Sequence, residues 1–209
     1  MTGMDPNGES CFLIGLTGNI GAGKSTVADF LRKAGAAIIE ADALGKEVVD
    51  QSRNFRNWLR QRYGEGIFTE DRLDRAALGR IVFTDPQAKK DLDDHIWPYI
   101  RDLLTDRIVE NAKNADVVVV DAAMIFEWGD EDRYDHILTI HADPEEAVPR
   151  AAERLGQPLE SIWERYHSQI PIEQKMSRSD TVIHNDGTLM QLQEKVRRFW
   201  VNVVAPRLL

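Results

Sequence analysis

Residues Gly18-Asn19-Ile20-Gly21-Ala22-Gly23-Lys24-Ser25 place glycines, a lysine and a hydroxyl at the spacing G-x-x-x-x-G-K-S. That combination suits the cradling of a phosphate chain. Glycines allow a tight loop and let backbone N–H groups approach phosphate oxygens with no Cβ in the way. Lys24 supplies a point charge for the outer phosphates, and the Ser25 hydroxyl suits a magnesium ion. A helix expected from Ser25 and Thr26 onward would turn its positive end toward the loop. Asn19, although not glycine, is expected to tolerate a left-handed backbone there. The motif points to a bound nucleotide and leaves open a kinase, an ATPase or a switch GTPase. No N-K-x-D stretch of the kind that reads guanine follows, which weighs against the GTPase.

Two carboxylates stand at the ends of apolar runs. Asp42 closes "IIEAD", where ligands of open α/β sheets bind, so it could orient an attacking hydroxyl. Its position suits an N-cap for a helix starting at Ala43 equally well. Asp121 follows "VVVV" and could hold magnesium through water, or serve as a plain strand-end carboxylate.

The elements that would position these groups are legible as an alternation. Apolar runs rich in Val and Ile occur at 11–17, 36–41, 116–122, 136–142 and 180–185, separated by helix-period segments. Consecutive apolar positions fit strands buried on both faces, hence a parallel sheet of about five strands covered by helices. The expectation is a three-layer α/β fold of the P-loop NTPase type. Gly35 ends the first helix. Residues 43–115 show helical patterns and no convincing strand, and 143–178 hold two or three short arginine-rich helices. Insertions of this kind commonly bind a second substrate and close over it. The expected organisation is a disordered tail over 1–10 and a single domain over 11–209. Its core covers 11–42, 116–142 and 179–209; the segments 43–115 and 143–178 are a helical substrate region and a lid, or merely extra helices, and composition alone does not decide.

Composition sets bounds on this reading. The chain has 209 residues, 43% hydrophobic and 29% charged, which is ordinary for a globular protein. A net charge of −9 argues against a nucleic-acid surface but leaves room for arginines focused on one cleft. No run is long enough for a membrane span and no leader is evident, so a cytoplasmic protein is expected. Cys11, the one cysteine, sits in the first apolar run as a core residue. The last segment, "LMQLQEKVRRFWVNVVAPRLL", carries Phe199, Trp200, Val203 and Val204 on a wide apolar face that should pack on the chain's own sheet.

Taken together, "LTGNIGAGKS", "GAAIIEAD", "YGEGIFTEDRLDRAALGRIVF", "AMIFEWG" and "SDTVIHNDG" resemble the dephospho-CoA kinase family, with motifs in the same order from about residue 12 to the C-terminus. Phe126, Glu127, Arg150, Arg154, Gln169 and Lys175 fall on further positions of that pattern. The resemblance implies transfer of the ATP γ-phosphate, with Mg²⁺, to the ribose 3′-hydroxyl of dephospho-CoA, the last step of coenzyme A synthesis. It implies Asp42 as the aspartate that engages the acceptor hydroxyl and Arg75 as a substrate-side arginine. It implies Arg150 as a lid arginine near the transferring phosphate, and Asn185 and Gly187 along the adenine. Arg75 could instead cap or pair on a surface helix, Arg150 could pair with Glu146, and Asn185 could serve a turn; Arg154 is left open. The chain departs from the family at Glu40, at Ala122–Ile125, at Ala147, and at Trp97 where a histidine is usual. His95, nearby, is expected to be an ordinary surface histidine. The departures surround the acceptor pocket, so another small-molecule or nucleotide kinase, or a non-catalytic ATP sensor, is the alternative.

Overall fold

A computed structural model describes residues 11–208, so the tail over 1–10 lies outside the described residues. In chain order the elements are β1 (Phe12–Thr17), α1 (Lys24–Lys33), β2 (Ala37–Glu40), α2 (Ala41–Gln51) and α3 (Arg53–Tyr63). Then come β3 (Phe68–Thr69), β4 (Arg72–Leu73), α4 (Arg75–Thr84), α5 (Pro86–Ala112), β5 (Val117–Asp121) and β6 (His136–His141). The chain finishes with α6 (Pro144–Leu155), α7 (Leu159–His167), α8 (Ile172–Arg178), β7 (Thr181–His184) and α9 (Leu189–Phe199). They divide into two compact units, one comprising residues up to Glu40 and from Arg107 onward, the other Ala41–Asp106.

The first unit is built on a five-stranded parallel sheet in the order β2-β5-β1-β6-β7. All five expected strands form, each within a residue or two of its apolar run. Alternate residues of β1 point to opposite faces. Phe12, Ile14 and Leu16 join Val27, Leu31, Leu192 and Val196 in the core between the sheet and helices α1 and α9. On the other face Gly15 leaves room for Ile125 and Tyr134, where a Cβ would come within 3.0 Å of both side chains. Phe199 and Val204 are buried in the α1–α9 core with Trp200 and Val203 against it, as the apolar face of the last segment required. Cys11 is buried too.

Local chemistry ends each element where it must. Gly35, at φ 111°, follows α1; its N–H donates to Arg32 O and that of Ala36 to Leu31 O, the paired bonds of a Schellman stop. Asp143 caps α6 through Glu145 N, with Pro144 at the first helical position. Thr188 and Gln191 form a reciprocal capping box at the start of α9.

The second unit holds α2, α3, α4 and most of α5. It also contains a minimal hairpin that the sequence did not announce, with Phe68 opposite Leu73 and Thr69 opposite Arg72. Glu70 and Asp71 make its turn at φ 49° and 62°, conformations usually signalled by Asn-Gly, which is why the hairpin carried no signature. His95 also departs from expectation. It lies half-buried and flat on Trp58, ring centroids 3.9 Å apart, beside the fully buried Phe55. It is part of an aromatic stack rather than a surface histidine.

In the first unit His136 sits between the rings of Phe12 and Phe199, with Nε2 hydrogen-bonded to Thr181 Oγ1 at 2.9 Å. Burial pushes its pKa below the usual 6.5, partly offset by Asp180. His141 shifts the same way, through burial and then the neighbouring His184. A histidine with a lowered folded pKa takes up its proton more readily when unfolded. Stability is therefore full above the unfolded value and declines as pH falls toward the folded one. Melting temperature should drop between about pH 7.5 and 5.5, and His136→Gln should drop less over that interval. Equal drops would contradict the assignment.

Candidate active site

The site begins where β1 ends. Thr17, fully buried, donates its hydroxyl to the Ala123 carbonyl at 3.2 Å and fixes the base of the glycine loop. Gly18, Gly21 and Gly23 follow at φ 144°, 79° and 98°. A Cβ on Gly18 would lie 2.3 Å from Ile140 O, on Gly21 2.2 Å from Ala147 O, and on Gly23 2.5 Å from Asn185 Nδ2. Within the loop Ala22 N–H donates to Asn19 O at 3.1 Å.

Asn19 corrects one expectation, because its backbone is not left-handed. It is 4% exposed, its side chain neighbours the Tyr166 hydroxyl on α7, and its Oδ1 is buried with no hydrogen-bond partner among the described residues. The residue is there for its side chain. Ile20 also leaves the loop, packing with Trp163 and Tyr166 against Val148, Ala151 and Ile162 of α6 and α7. Its N–H donates to Gln169 Oε1 at 3.3 Å.

Helix α1 starts at Lys24 with Gly23 as its left-handed N-cap, no side-chain cap and no acidic residue in its first turn. Its first N–H groups and the positive end of its dipole are therefore left for an anion. Lys24 Nζ lies 3.9 Å from Asp121 Oδ1, both side chains being 16% exposed. Asp121 is thus at the carboxyl end of β5, facing the loop lysine.

Arg150 and Arg154 stand one turn apart on α6. Together with Gly21, Gly23, Thr26, Asn185 and Gly187 they line a cavity of about 260 Å³. Arg150 Nε donates to the Glu146 backbone carbonyl at 3.1 Å, and neither arginine forms an ion pair among the described residues. Arg154 Nη1 donates to Ser25 Oγ at 3.4 Å. The sequence left Arg154 open, although its i,i+4 spacing from Arg150 already placed both on one face. Asn185 does more than serve a turn. Its N–H donates to His141 O at 2.7 Å and its Nδ2 to Ala22 O at 3.0 Å.

Asp42 and Arg75 lie in the second unit. Helix α2 starts at Ala41, so Asp42 is an exposed residue in its first turn and not the cap of a helix beginning at Ala43. Arg75 is the exposed first residue of α4, whose cap is Asp74, accepting from Ala76 N and Ala77 N. Arg75 forms no ion pair among the described residues, so the capping and pairing alternatives do not occupy it.

As a donor set for magnesium, the Ser25 hydroxyl and the Asp121 carboxylate are hard oxygen ligands near the phosphate loop. A cation that keeps several waters and takes phosphate oxygens needs little more from protein. Among the described residues no helix is long and apolar enough to cross a membrane.

A family model described as dephospho-CoA kinase matches residues 12–191. A dephospho-CoA kinase of Geobacter sulfurreducens is 37% identical over 190 residues, spanning 90% of this chain and 96% of that protein. One of Thermus thermophilus is 36% identical over 185 residues, 88% of each chain. Among solved structures, TT1252 from Thermus thermophilus superposes with a TM-score of 0.80 at 34% identity, covering 93% of this chain and 99% of that one. A dephospho-CoA kinase from Campylobacter jejuni shares the fold, with a TM-score of 0.68 at 24% identity over 93% and 98% of the two chains. The chain belongs to the dephospho-CoA kinase family.

Proposed function

We propose that this chain transfers the γ-phosphate of ATP to the ribose 3′-hydroxyl of dephospho-CoA. The observation that carries the nucleotide half is the cavity in which the glycine loop, Arg150, Arg154 and the Asn185–Gly187 turn meet. Family membership carries the acceptor half.

The loop N–H groups and Lys24 hold the β and γ phosphates, supported by the uncapped start of α1. Ser25, with Asp121 through water, would hold Mg²⁺, which would supply neutralisation of the phosphate charge. Arg150 and Arg154 present planar cations to the charge that spreads over the transferring group. Asn185 and Gly187 border the adenine. Asp42, two residues past the end of β2, accepts a hydrogen bond from the acceptor hydroxyl and orients it, and Arg75 binds the acceptor's anionic part. Residues 143–178 act as the lid and 43–115 as the acceptor region of one kinase domain. Closure excludes water that would otherwise hydrolyse ATP. We place the enzyme in the cytoplasm.

The test is acceptor-dependent ADP release with ATP and Mg²⁺, comparing dephospho-CoA, AMP, adenosine and no acceptor. Turnover driven by dephospho-CoA alone is expected. ATP binding without turnover on any acceptor would reject the proposal in favour of a sensing role.

Lys24→Met should lower kcat by about a hundredfold or more, since it removes charge stabilisation in the transition state, with melting temperature little changed. Arg150→Ala and Arg154→Ala should each lower kcat by at least about tenfold. Near-normal turnover in Lys24→Met or in both arginine variants would remove them from the catalytic assignment.

A further inference from the structure

Phosphoryl transfer as described leaves one buried cation unused. Among the described residues Lys175 alone of the lysines and arginines is buried, with 0% of its surface exposed. Its ammonium donates to the Ala123 carbonyl at 2.6 Å and lies 3.0 Å from Glu127 Oε1. Burial pushes its pKa down, Glu127 holds it up, and the charge of Lys24 pushes it down again. The cation shares the Ala123 carbonyl with Thr17, the residue before the loop, yet it lines no part of the nucleotide cavity.

Its partners are the fixing points of the loop. The Ala123 carbonyl that Lys175 holds also receives the Thr17 hydroxyl, one residue before Gly18. The Glu127 oxygen that Lys175 holds also receives the Ile170 N–H at 3.1 Å. Beside Ile170, Gln169 accepts the Ile20 N–H from the loop's tip. The segment from Gln169 to Lys175, where the chain returns from the lid helices α6 and α7, thus grips the loop twice. One grip is at the base through Ala123, the other at the tip through Gln169. The buried pair is the joint common to both.

We propose that Lys175 and Glu127 are positioning residues for phosphoryl transfer: their ion pair sets the placement of the phosphate loop against the returning end of the lid. The proposal rests on the loop binding ATP as described above. A pair that served folding alone would behave differently. A buried ion pair contributes little more to stability than neutral side chains of similar volume, whereas an unpaired buried charge is strongly destabilising. Neutralising both partners can therefore restore stability without restoring two directed hydrogen bonds.

The experiment compares wild type, Lys175→Met, Glu127→Gln and the double variant. Melting temperature, ATP affinity by calorimetry, and kcat are measured well below every melting transition. Glu127→Gln keeps an acceptor for Ile170 N–H, so the double variant removes the charges and the Lys175 donor alone. Both single variants should melt lower than wild type, and the double variant should recover most of that loss. In the double variant kcat should still be down by at least about tenfold, with ATP bound several-fold more weakly. Recovery of kcat and ATP affinity in step with melting temperature would overturn the proposal and leave the pair a structural one. If wild type shows no turnover with dephospho-CoA, the acceptor assignment falls, while ATP affinity in the double variant still decides the role of the pair.

Discussion

At three successive glycines the phosphate loop has no space for a single carbon atom, and the first unit is arranged around that fact. Ile140 O near the end of β6 presses on Gly18, Ala147 O in α6 on Gly21, and Asn185 on Gly23. Two of these neighbours are backbone, which cannot rotate away as a side chain can. The loop thereby fixes how closely α6 approaches β1, and so where Arg150 and Arg154 stand. Ile20 extends the same contact by packing against α6 and α7, with Asn19 beside Tyr166. Fixed donors of this kind need little reorganisation when a charged group arrives.

Electrostatics follow from that packing. The chain is acidic overall, yet the region near the loop collects Lys24, Arg150, Arg154 and the buried Lys175. An uncapped helix start adds a further partial positive charge. Concentrated cations in a partly buried cleft outweigh distant surface carboxylates, which salt screens within about 8–10 Å. Asp121 and Glu127 then limit the local excess, each facing one lysine.

Much of this was legible in the sequence, for identifiable reasons. The five strands showed because strands buried on both faces need consecutive apolar residues, a pattern that helices between them lack. The glycine loop showed because backbone approach to phosphate demands small residues at fixed spacing. The hairpin at 68–73 did not show, since Glu70 and Asp71 take left-handed conformations without the glycine that advertises them. Asn19 misled because backbone tolerance is a local property, whereas its use depends on Tyr166, well over a hundred residues away. Lys175 and Glu127 both fall on the family pattern, but only the fold shows that they meet each other and that Lys175 meets Ala123. Asp42 was singled out by its place at the end of an apolar run and Arg75 by the family pattern; both are exposed.

If close backbone contact around the loop builds the ATP site, ATP binding to Gly21→Ala beside Gly35→Ala should reveal it. Both glycines have positive φ, 79° and 111°, so both substitutions strain the backbone. A Cβ at Gly21 meets Ala147 O at 2.2 Å, whereas at Gly35 it meets nothing within 4 Å. Gly21→Ala is expected to weaken ATP binding by about tenfold or more while Gly35→Ala loses only stability. Gly21→Ala binding ATP as tightly as wild type would contradict that expectation.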